Sequence, residues 1–538
     1  MRLATPLILL GCAPSQEGGA GASQEPNFSI AVAPDGVTLA TGPSGGASLP
    51  FSATATFDDG TEEVLSEVAW SLSNRSVGTL DDAGLFVPSN VNGGLSWVTA
   101  TLDGVVGEAT LTVRYESDIN PEAIDVAAFE GAPTPTAGLW IYPADGVNFP
   151  RNTPSIEFQW ADNGGRPTRI HFTSEWTDLD VYTTSRTWLA DATTWQQVTA
   201  SNAGGDVDVE LTLIDAYGGL VSELRTLSVN RLDAEGSIVY WSTTKQGMVS
   251  IPYGGVATEL LTVANTGHCV GCHVVSTTGL MAFTWDGGHG QLGIRRLSDS
   301  TDILPYGSGI LSNFHSFSPD GELLLTVSYG NIHLFDAPTG TFMGTIWGDG
   351  RATHVDWSPD GTRIAFTLGD APHTDDWHLE TPSHIEVMDH LGGSSFGPPR
   401  PLVLPPAGWR AYYPAWSPDG DWLAFNLSTG DCYDDADAEL WIVDAEGARV
   451  PVRLGAANDV GALTNSWPRW GPLPDDDVLW LAFASRRSYG IYTAGTPQIW
   501  VAAFDPALAT QGLDPSWASF WVPGQDLATG NHIPFWTE

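Results

Sequence analysis

The residues of this 538-residue chain that are best placed for chemistry form one run, His268-Cys-Val-Gly-Cys-His. It contains Cys-Xaa-Xaa-Cys-His, the spacing at which two thiols can bond the vinyl groups of a haem while the adjacent imidazole ligates the iron. The same residue types also bind zinc, or form a redox or structural thiol pair. The motif therefore predicts a c-type haem on Cys269 and Cys272 with His273 as proximal ligand, and leaves zinc or a thiol pair as alternatives.

The first residues bear on where this chemistry takes place. Residues 1–12 carry one arginine and a short apolar run, and they end in Leu9-Leu-Gly-Cys, which resembles a bacterial lipobox. The resemblance implies a signal peptide over 1–12 and a lipid on Cys12, followed by a Ser-, Gly- and Pro-rich flexible tether over 13–27. No later segment offers the roughly 20 apolar residues of a membrane span. We therefore expect a cell-envelope protein held by its lipid alone, on the outer membrane, facing the periplasm or the cell surface.

The charged residues and the cysteines exclude other classes of protein. The chain has 64 acidic against 21 basic residues and a net charge of -43, which repels phosphate backbones, so no nucleic-acid partner is expected. It has four cysteines. Once Cys12 is assigned to a lipid and the middle pair to the motif, only Cys432 is left, so no disulfide framework is predicted.

The rest of the chain indicates an all-β protein. There are 60 glycines and 37 prolines, and short alternating apolar runs recur between turn residues from about residue 30 onward. Residues 28–115 contain Val68-Ala-Trp-Ser-Leu-Ser-Asn and end in Ala109-Thr-Leu-Thr-Val, which resembles the group 2 bacterial immunoglobulin-like domain. Residues 120–232 alternate as half-buried strands and indicate a second, fibronectin-like β-sandwich. Neither segment has a cluster of His, Cys or paired carboxylates, so both are expected to be supports.

One phrase repeats after residue 236. Phe317, Trp357 and Trp416 each begin an aromatic-Ser-Pro-Asp-Gly turn that is followed by an apolar strand. These repeats resemble those of TolB-like β-propellers, in which the innermost strand of a blade ends in this turn, and some envelope proteins with such repeats carry Cys-Xaa-Xaa-Cys-His at the start of the propeller. Two degenerate copies of this repeat begin at Val275 and at Trp470. The resemblance implies a propeller over 236–538.

The two ends of this region complete each other. The strands that begin at Ile238 lack an inner strand, and the inner strand Asn531-His-Ile-Pro-Phe-Trp lacks the strands that would follow it. Pairing the two completes a sixth blade and closes the ring without exposed sheet edges.

The repeat alignment also suggests which histidines share the channel. His273 and His315 lie two residues before the aromatic position of their repeats, and His532 lies four before Trp536, so strict alternation gives these three one face and His354 the other. We therefore expect a haem over one channel mouth, with His315 and then His532 as candidate distal ligands and, in a metal site, His273 with His315 as ligands. Met281 is a competing distal ligand, although core packing fits its strand better.

Two further clusters could bind metals. A carboxylate-rich loop could hold calcium, but its spacing is not that of an EF-hand and a solvated acidic loop fits it better; it contains Asp431, Asp434, Asp435, Asp437 and Glu439. Four histidines between Asp370 and Pro401 lack a fixed spacing and are interpreted as surface residues; they are His373, His378, His384 and His390.

Two functions remain open on this evidence. The first is a haem-bearing electron-transfer or redox module, and the second is a non-catalytic scaffold that binds a protein or a glycan and keeps the cysteine motif as a structural zinc or thiol site. The partner would be an unknown envelope protein, a redox partner or a glycan. The sequence contains no phosphate-binding loop or His-Glu-Xaa-Xaa-His segment, and its two Gly-Xaa-Ser-Xaa-Gly matches, at 42–46 and 393–397, lack the following helix of a nucleophile elbow, so no pattern favours a hydrolase, a nucleotide enzyme or a metalloprotease.

Overall fold

A computed structural model describes residues 28–373, 378–459, 464–473, 478–492 and 495–537 of the chain. The signal peptide, Cys12 and the tether predicted over 1–27 lie outside the described residues. The all-β prediction is confirmed, because helix is confined in the described residues to a few short segments. The α-helices are α1 (Ala192–Ser201), α2 (Val263–Thr266) and α3 (Pro506–Thr510), and the 3-10 turns are Arg75–Val77 and Val126–Phe129. None of the described helices is long and apolar enough to cross a membrane.

The first strands pack around a small apolar core that includes Phe86, Val98 and Leu111. They form the sheets β1-β4-β5 and β3-β8-β7 and one end of a larger sheet. The strands are β1 (Phe28–Ala33), β2 (Val37–Thr41), β3 (Leu49–Pro50), β4 (Ser52–Phe57), β5 (Glu62–Leu65), β6 (Ala69–Leu72), β7 (Gly78–Leu80), β8 (Leu85–Pro88), β9 (Gly94–Leu102) and β10 (Val105–Ile119).

The next strands are β11 (Thr134–Pro135), β12 (Trp140–Tyr142), β13 (Asn148–Phe149), β14 (Glu157–Trp160), β15 (Thr168–Thr173), β16 (Thr177–Thr183), β17 (Thr187–Leu189), β18 (Gly205–Ile214) and β19 (Leu220–Val229). Strand β10 runs across the predicted boundary at residue 115 and pairs in parallel with β16, from Tyr115 with Thr177 to Ile119 with Val181. One ten-stranded sheet therefore spans both predicted sandwiches. The domain boundaries 28–115 and 120–232 stay predictions.

The remaining strands form antiparallel sheets in chain order. They are β20 (Ser237–Ser242), β21 (Gly247–Pro252), β22 (Thr258–Leu261), β23 (Val270–Val275), β24 (Leu280–Trp285), β25 (Gln291–Arg296), β26 (Thr301–Leu304), β27 (His315–Phe317), β28 (Leu323–Ser328), β29 (Asn331–Asp336), β30 (Thr341–Trp347), β31 (Ala352–Trp357), β32 (Arg363–Gly369), β33 (Ser383–Gly392), β34 (Ser395–Phe396), β35 (Arg400–Val403), β36 (Arg410–Trp416), β37 (Trp422–Ser428), β38 (Glu439–Asp444), β39 (Val452–Arg453), β40 (Ser466–Trp470), β41 (Leu479–Ser485), β42 (Gln498–Phe504), β43 (Phe520–Trp521) and β44 (Asn531–Thr537).

Six of these strands contact one another in a closed cycle. Strand β23 contacts β27, and the contacts continue through β31, β36, β40 and β44 back to β23. Each of the six is the end strand of an antiparallel series such as β23-β24-β25-β26, except that the series of β31 and β36 are joined by one parallel bridge between Ser383 and Arg410. The strand β44 pairs with β20, with Ile238 opposite Trp536, so the first and last strands of this region complete one sheet together. We call β23, β27, β31, β36, β40 and β44 the inner strands.

The Ser-Pro-Asp-Gly repeat ends an inner strand because its side chains build the turn locally. The Ser318 hydroxyl donates to Asp320 and accepts the backbone N–H of Leu323 at 2.9 Å, and Gly321 has a φ of 72°, which favours glycine. Ser358 makes the corresponding contacts with Asp360 and Arg363. The repeat therefore places the start of each following strand at a fixed point relative to the channel.

The ring is also joined to the second predicted sandwich through one apolar core. A single buried cluster contains Trp160 and Trp195 from the sandwich together with Trp480 and Phe520 from the ring. Side chains from both parts interdigitate there, since the rings of Phe149 and Phe520 are 5.0 Å apart.

Candidate functional site

The channel between the inner strands is shaped by a repeated irregularity. Five inner strands shift their pairing register against the neighbouring strand of their own sheet. At this shift each has one non-glycine residue with a φ between 45° and 61°. These residues are Cys272, His354, Tyr413, Trp467 and Ile533. In the sixth repeat the corresponding residue is Phe314, which lies just before β27 and three residues before Phe317, as Tyr413 lies three before Trp416. A bulge interrupts the alternation of side chains along a strand. The expectation that His354 faces away from His273 is therefore wrong, because both line the same cavity.

This inner cavity is small, and aromatic rings form part of its lining. It has a volume of about 30 Å³, room for about two water molecules. The rings of Tyr413 and Trp467 stack at 3.9 Å, and the ring of Phe314 lies 4.4 Å from that of His354. The lining residues are Cys272, His273, Val274, Phe314, His315, His354, Val355, Tyr413, Pro414, Trp467, Arg469, Ile533 and Pro534.

His273, the predicted proximal ligand, is buried beside this cavity. Its Nε2 lies 3.1 Å from the carbonyl oxygen of Val239, and its Nδ1 has no partner in the described structure. Burial lowers the pKa of His273 to about 4, so the ring is neutral at pH 7. A neutral ring that donates from Nε2 to Val239 presents Nδ1 as an acceptor.

The two candidate distal ligands differ in their surroundings. Both ring nitrogens of His315 contact hydroxyl groups, those of Ser312 at 3.2 Å, Thr326 at 3.0 Å and Thr284 at 3.2 Å. His532 is buried outside the residues that line the inner cavity and packs edge-on against Trp241, with ring centres 5.0 Å apart. Burial lowers the pKa of His315 to about 3 and that of His532 to about 4.

The two cysteines of the motif lie in different surroundings. The side chain of Cys269 is half-buried, and burial followed by the carboxylate of Asp286 raises the pKa of its thiol. Cys272 is buried and lines the inner cavity together with Tyr413, whose pKa is raised chiefly by burial. One thiol of the motif is therefore partly accessible, and the other lines the inner cavity.

This arrangement does not fit a haem. A c-type haem would bond both thiols and take Nε2 of His273, but that nitrogen is held by Val239 and the adjoining cavity holds about two waters. Within the described ranges, no three His, Cys, Asp or Glu side chains converge as metal ligands. Met281 is fully buried in an apolar cluster with Phe283 and Trp285, as expected of a core residue.

The acidic loop and the four histidines make ordinary protein contacts. Asp434 pairs with Arg486 at 2.5 Å, and Glu439 pairs with Arg453 at 2.8 Å. Asp431 accepts from the backbone N–H of Leu379 and contacts His378, and Asp435 accepts from Gly430. His373 contacts the carbonyl of Arg351, His384 contacts Glu386, and His390 contacts the carbonyl of Gly361. None of these contacts points to a bound metal.

A second cavity, the outer mouth, opens at the Ser-Pro-Asp-Gly end of the channel. Its volume is about 200 Å³, and all six inner strands contribute to its lining. Asp356 and Arg469 are the only charged residues that line it among those described, and Arg469 also lines the inner cavity. The other lining residues are Val274, Val275, Ser276, Thr277, Ser316, Phe317, Ser318, Pro319, Trp357, Ala415, Trp416, Pro418, Trp470, Gly471, Phe535 and Trp536.

An ion pair forms the floor of the outer mouth. Nη1 of Arg469 lies 3.0 Å from Oδ1 of Asp356, whose carboxylate also accepts from the Ser316 hydroxyl at 3.4 Å and from the Trp416 backbone N–H at 2.9 Å. Burial raises the pKa of Asp356, while Arg469 opposes this shift. Sequence reasoning missed this pair. Its signal was present, because each residue directly precedes the aromatic residue of its repeat.

Comparison with known proteins gives limited likenesses. No family model matches the chain. An uncharacterized protein of Agrobacterium fabrum is 23% identical over 172 residues, which cover 31% of this chain and 53% of that protein, so the chain spans about half the length of this relative.

The solved structures that are similar to this chain include TolB-like proteins. TolB from Acinetobacter baumannii has 16% identity and a TM-score of 0.38, and covers 62% of this chain and 80% of its own. The putative TolB from Agrobacterium tumefaciens has 18% identity and a TM-score of 0.33, over 57% and 99%. A dihydro-haem d1 dehydrogenase has 16% identity and a TM-score of 0.32, over 54% and 55%. These scores are low, so the likenesses say nothing about what this chain binds.

Proposed function

We propose that this chain is a lipid-anchored protein of the cell envelope in which a six-bladed β-propeller, raised on two sandwiches, acts as a non-catalytic binding module. The observation that carries the proposal is the outer mouth, an open cavity of about 200 Å³ to which every inner strand contributes. Small-ligand sites favour such concave places, where a few polar groups converge among apolar ones.

The ring architecture supports this reading. Six inner strands in a closed cycle correspond to six blades, and the pairing of β44 with β20 removes the sheet edge that an open ring would expose. Envelope location rests on the lipobox-like Leu9-Leu-Gly-Cys.

Site-specific photo-crosslinking in intact cells tests the binding module. The full chain would carry a photoreactive residue either at Thr277, on the rim of the outer mouth, or at Tyr217, which is 98% exposed on the second sandwich. We expect a discrete adduct from Thr277 and none from Tyr217, because the mouth holds the occupant. If Thr277 yields no adduct, or both positions yield the same ones, the mouth is not the binding site. The mass of the adduct separates a protein from a glycan.

The second candidate is the haem-bearing redox module, and the complete Cys-Xaa-Xaa-Cys-His motif favours it. Attachment of a haem at the motif would require His273 to release the carbonyl oxygen of Val239 and the inner cavity to widen. The test is the visible spectrum of the full chain, produced with haem maturation machinery and reduced in alkaline pyridine. A c-type band that is lost on Cys269→Ala with Cys272→Ala would establish this candidate. A colourless protein would rule it out, and metal analysis of the same sample would then decide between zinc and a thiol pair.

A further inference from the structure

We propose that the outer mouth recognises a carboxylate group, which is held by the guanidinium of Arg469. This inference rests on the binding function proposed above and names the chemistry that the mouth selects. Arg469 is the only basic residue among the described residues that line the cavity, and it lies at the floor that all six inner strands surround.

The guanidinium of Arg469 is only partly used within the protein. Nη1 donates to Asp356, and this is the one hydrogen bond that the guanidinium makes within the described part of the chain. The Nε and Nη2 groups form the other edge of the planar fork, which matches the two oxygens of a carboxylate. The edge that the protein does not use therefore has the geometry for bidentate binding.

The Arg469 side chain lines the outer mouth and is partly exposed. The Arg469 side chain is 24% exposed, whereas the inner cavity on its other side has a volume of only about 30 Å³. Asp356 is 15% exposed and is tied to Ser316 and Trp416. Asp356 is thus a positioning residue, because its other contacts fix the carboxylate that orients Arg469.

The size and walls of the mouth restrict the ligand. A volume of about 200 Å³ is below the range of about 300–1,000 Å³ that is usual for drug-sized ligands, so a short acid or one chain end fits better than a larger molecule. The ring of Phe535 lies beside Arg469, with 6.0 Å between the guanidinium carbon and the ring centre. Together with Val275, it gives the aliphatic part of an acid an apolar wall. Free short acids and peptide C-termini share this chemistry.

Calorimetric titration of the full chain with matched ligands tests the proposal. The probes are N-acetyl-Ala-Ala-Val with a free C-terminus, the same peptide as its C-terminal amide, and propionate. We expect the acid to bind at least tenfold more tightly than the amide. If propionate displaces the peptide at similar concentrations, the ligand is a free acid. If propionate is much weaker, the ligand is a chain end. Equal binding of acid and amide overturns the proposal.

Variants assign the effect to Arg469. The double variant Arg469→Gln with Asp356→Asn removes both charges and so avoids an unpaired buried carboxylate. It should abolish the difference between acid and amide, whereas Arg296→Gln, at an exposed arginine outside the mouth, should keep it. A double variant that folds with an unchanged melting temperature and still prefers the acid contradicts the proposal. If the double variant fails to fold, Phe535→Asp replaces it, because a carboxylate beside Arg469 should compete with the ligand and weaken acid binding at least tenfold.

A last pair of variants distinguishes failure of the carboxylate proposal from failure of the proposed binding function. Thr277→Trp adds bulk at the rim of the mouth, and Thr278→Trp makes the same change at the next residue, which does not line the cavity. Suppose that Thr277→Trp blocks the peptide and Thr278→Trp does not, but the wild-type chain binds acid and amide equally. The mouth then binds the peptide without recognising its carboxylate, and only this inference fails. If neither variant affects binding, both proposals fail.

Discussion

Arg469 and Asp356 form an ion pair between two inner strands that are not neighbours in the ring. Asp356 lies on β31 and Arg469 on β40, and β36 lies between these strands and donates the Trp416 backbone N–H to the same carboxylate. Through Ser316 the carboxylate also reaches β27. One pair thus joins four of the six inner strands at the floor of the outer mouth.

Replacing Arg469 by methionine should destabilise the ring more than the loss of one contact would. Asp356 would remain buried without its counter-charge, a change that costs about 3–5 kcal/mol in comparable buried pairs. The double variant Arg469→Met with Asp356→Asn should recover most of that stability, because the Asn side chain is uncharged and its carbonyl can still accept from Ser316 and Trp416. Denaturant midpoints of the wild type and the two variants, compared at pH 7, check this expectation. A single variant no less stable than the double variant would contradict it.

The buried histidines should make the ring sensitive to acid. Burial lowers the pKa of His273 and His532 to about 4, that of His315 to about 3, and that of His354 well below its usual value. The unfolded chain binds these protons at about pH 6.5, so native stability is full above that value and falls as the pH decreases toward 4. The loss is about 2 kcal/mol at pH 5 for each imidazole with a pKa near 4.

Melting temperatures between pH 7 and pH 5 measure this effect. His315→Asn should flatten the dependence on pH, because the unfolded chain then has one fewer imidazole to protonate. The matched control is His289→Asn, at a partly exposed histidine whose ring stacks on that of Tyr329, and this change should leave the slope unaltered. Equal slopes for the wild type and His315→Asn would show that this imidazole is not kept neutral by the fold.

The thiols of the motif should differ in reactivity. Cys269 is half-buried, while Cys272 and Cys432 are buried, so among the three cysteines that the structure describes a thiol reagent should modify Cys269 first. Burial and, after it, the carboxylate of Asp286 raise the pKa of Cys269, so Asp286→Asn should lower that pKa and increase the labelling rate at pH 8 severalfold. Timed labelling followed by mass spectrometry measures both effects, with Asp299→Asn as the control at an exposed carboxylate. Faster labelling of Cys272 than of Cys269 would contradict the burial described above.

The sequence predicted what local chemistry determines. The Ser-Pro-Asp-Gly turns are built within a few residues, as the contacts of Ser318 show, so their positions could be read from the pattern. The pairing of β44 with β20 followed from strands that lacked partners at the two ends of the region after residue 236. The direction in which His354 points was predicted wrongly, because strict alternation along the strand takes no account of the bulge at that residue. The contact between Asp356 and Arg469 joins residues far apart in the chain, and no local pattern pairs them.

The C-terminal strand should be essential to the ring and replaceable in trans. Strand β44 buries Ile533 and Trp536, whose transfer from water contributes roughly 4 kcal/mol, and it covers the edge of β20. Deleting residues 531–538 should therefore lower the melting temperature and expose an edge that promotes aggregation. A synthetic peptide of residues 531–537 should restore the melting temperature when added in excess, because it supplies the same ladder of hydrogen bonds and the same apolar side chains. A scrambled peptide of equal composition is the control. A truncated chain that melts at the wild-type temperature without the peptide would mean that the ring is held closed by the contacts between its other strands, and that β44 only covers the edge of β20.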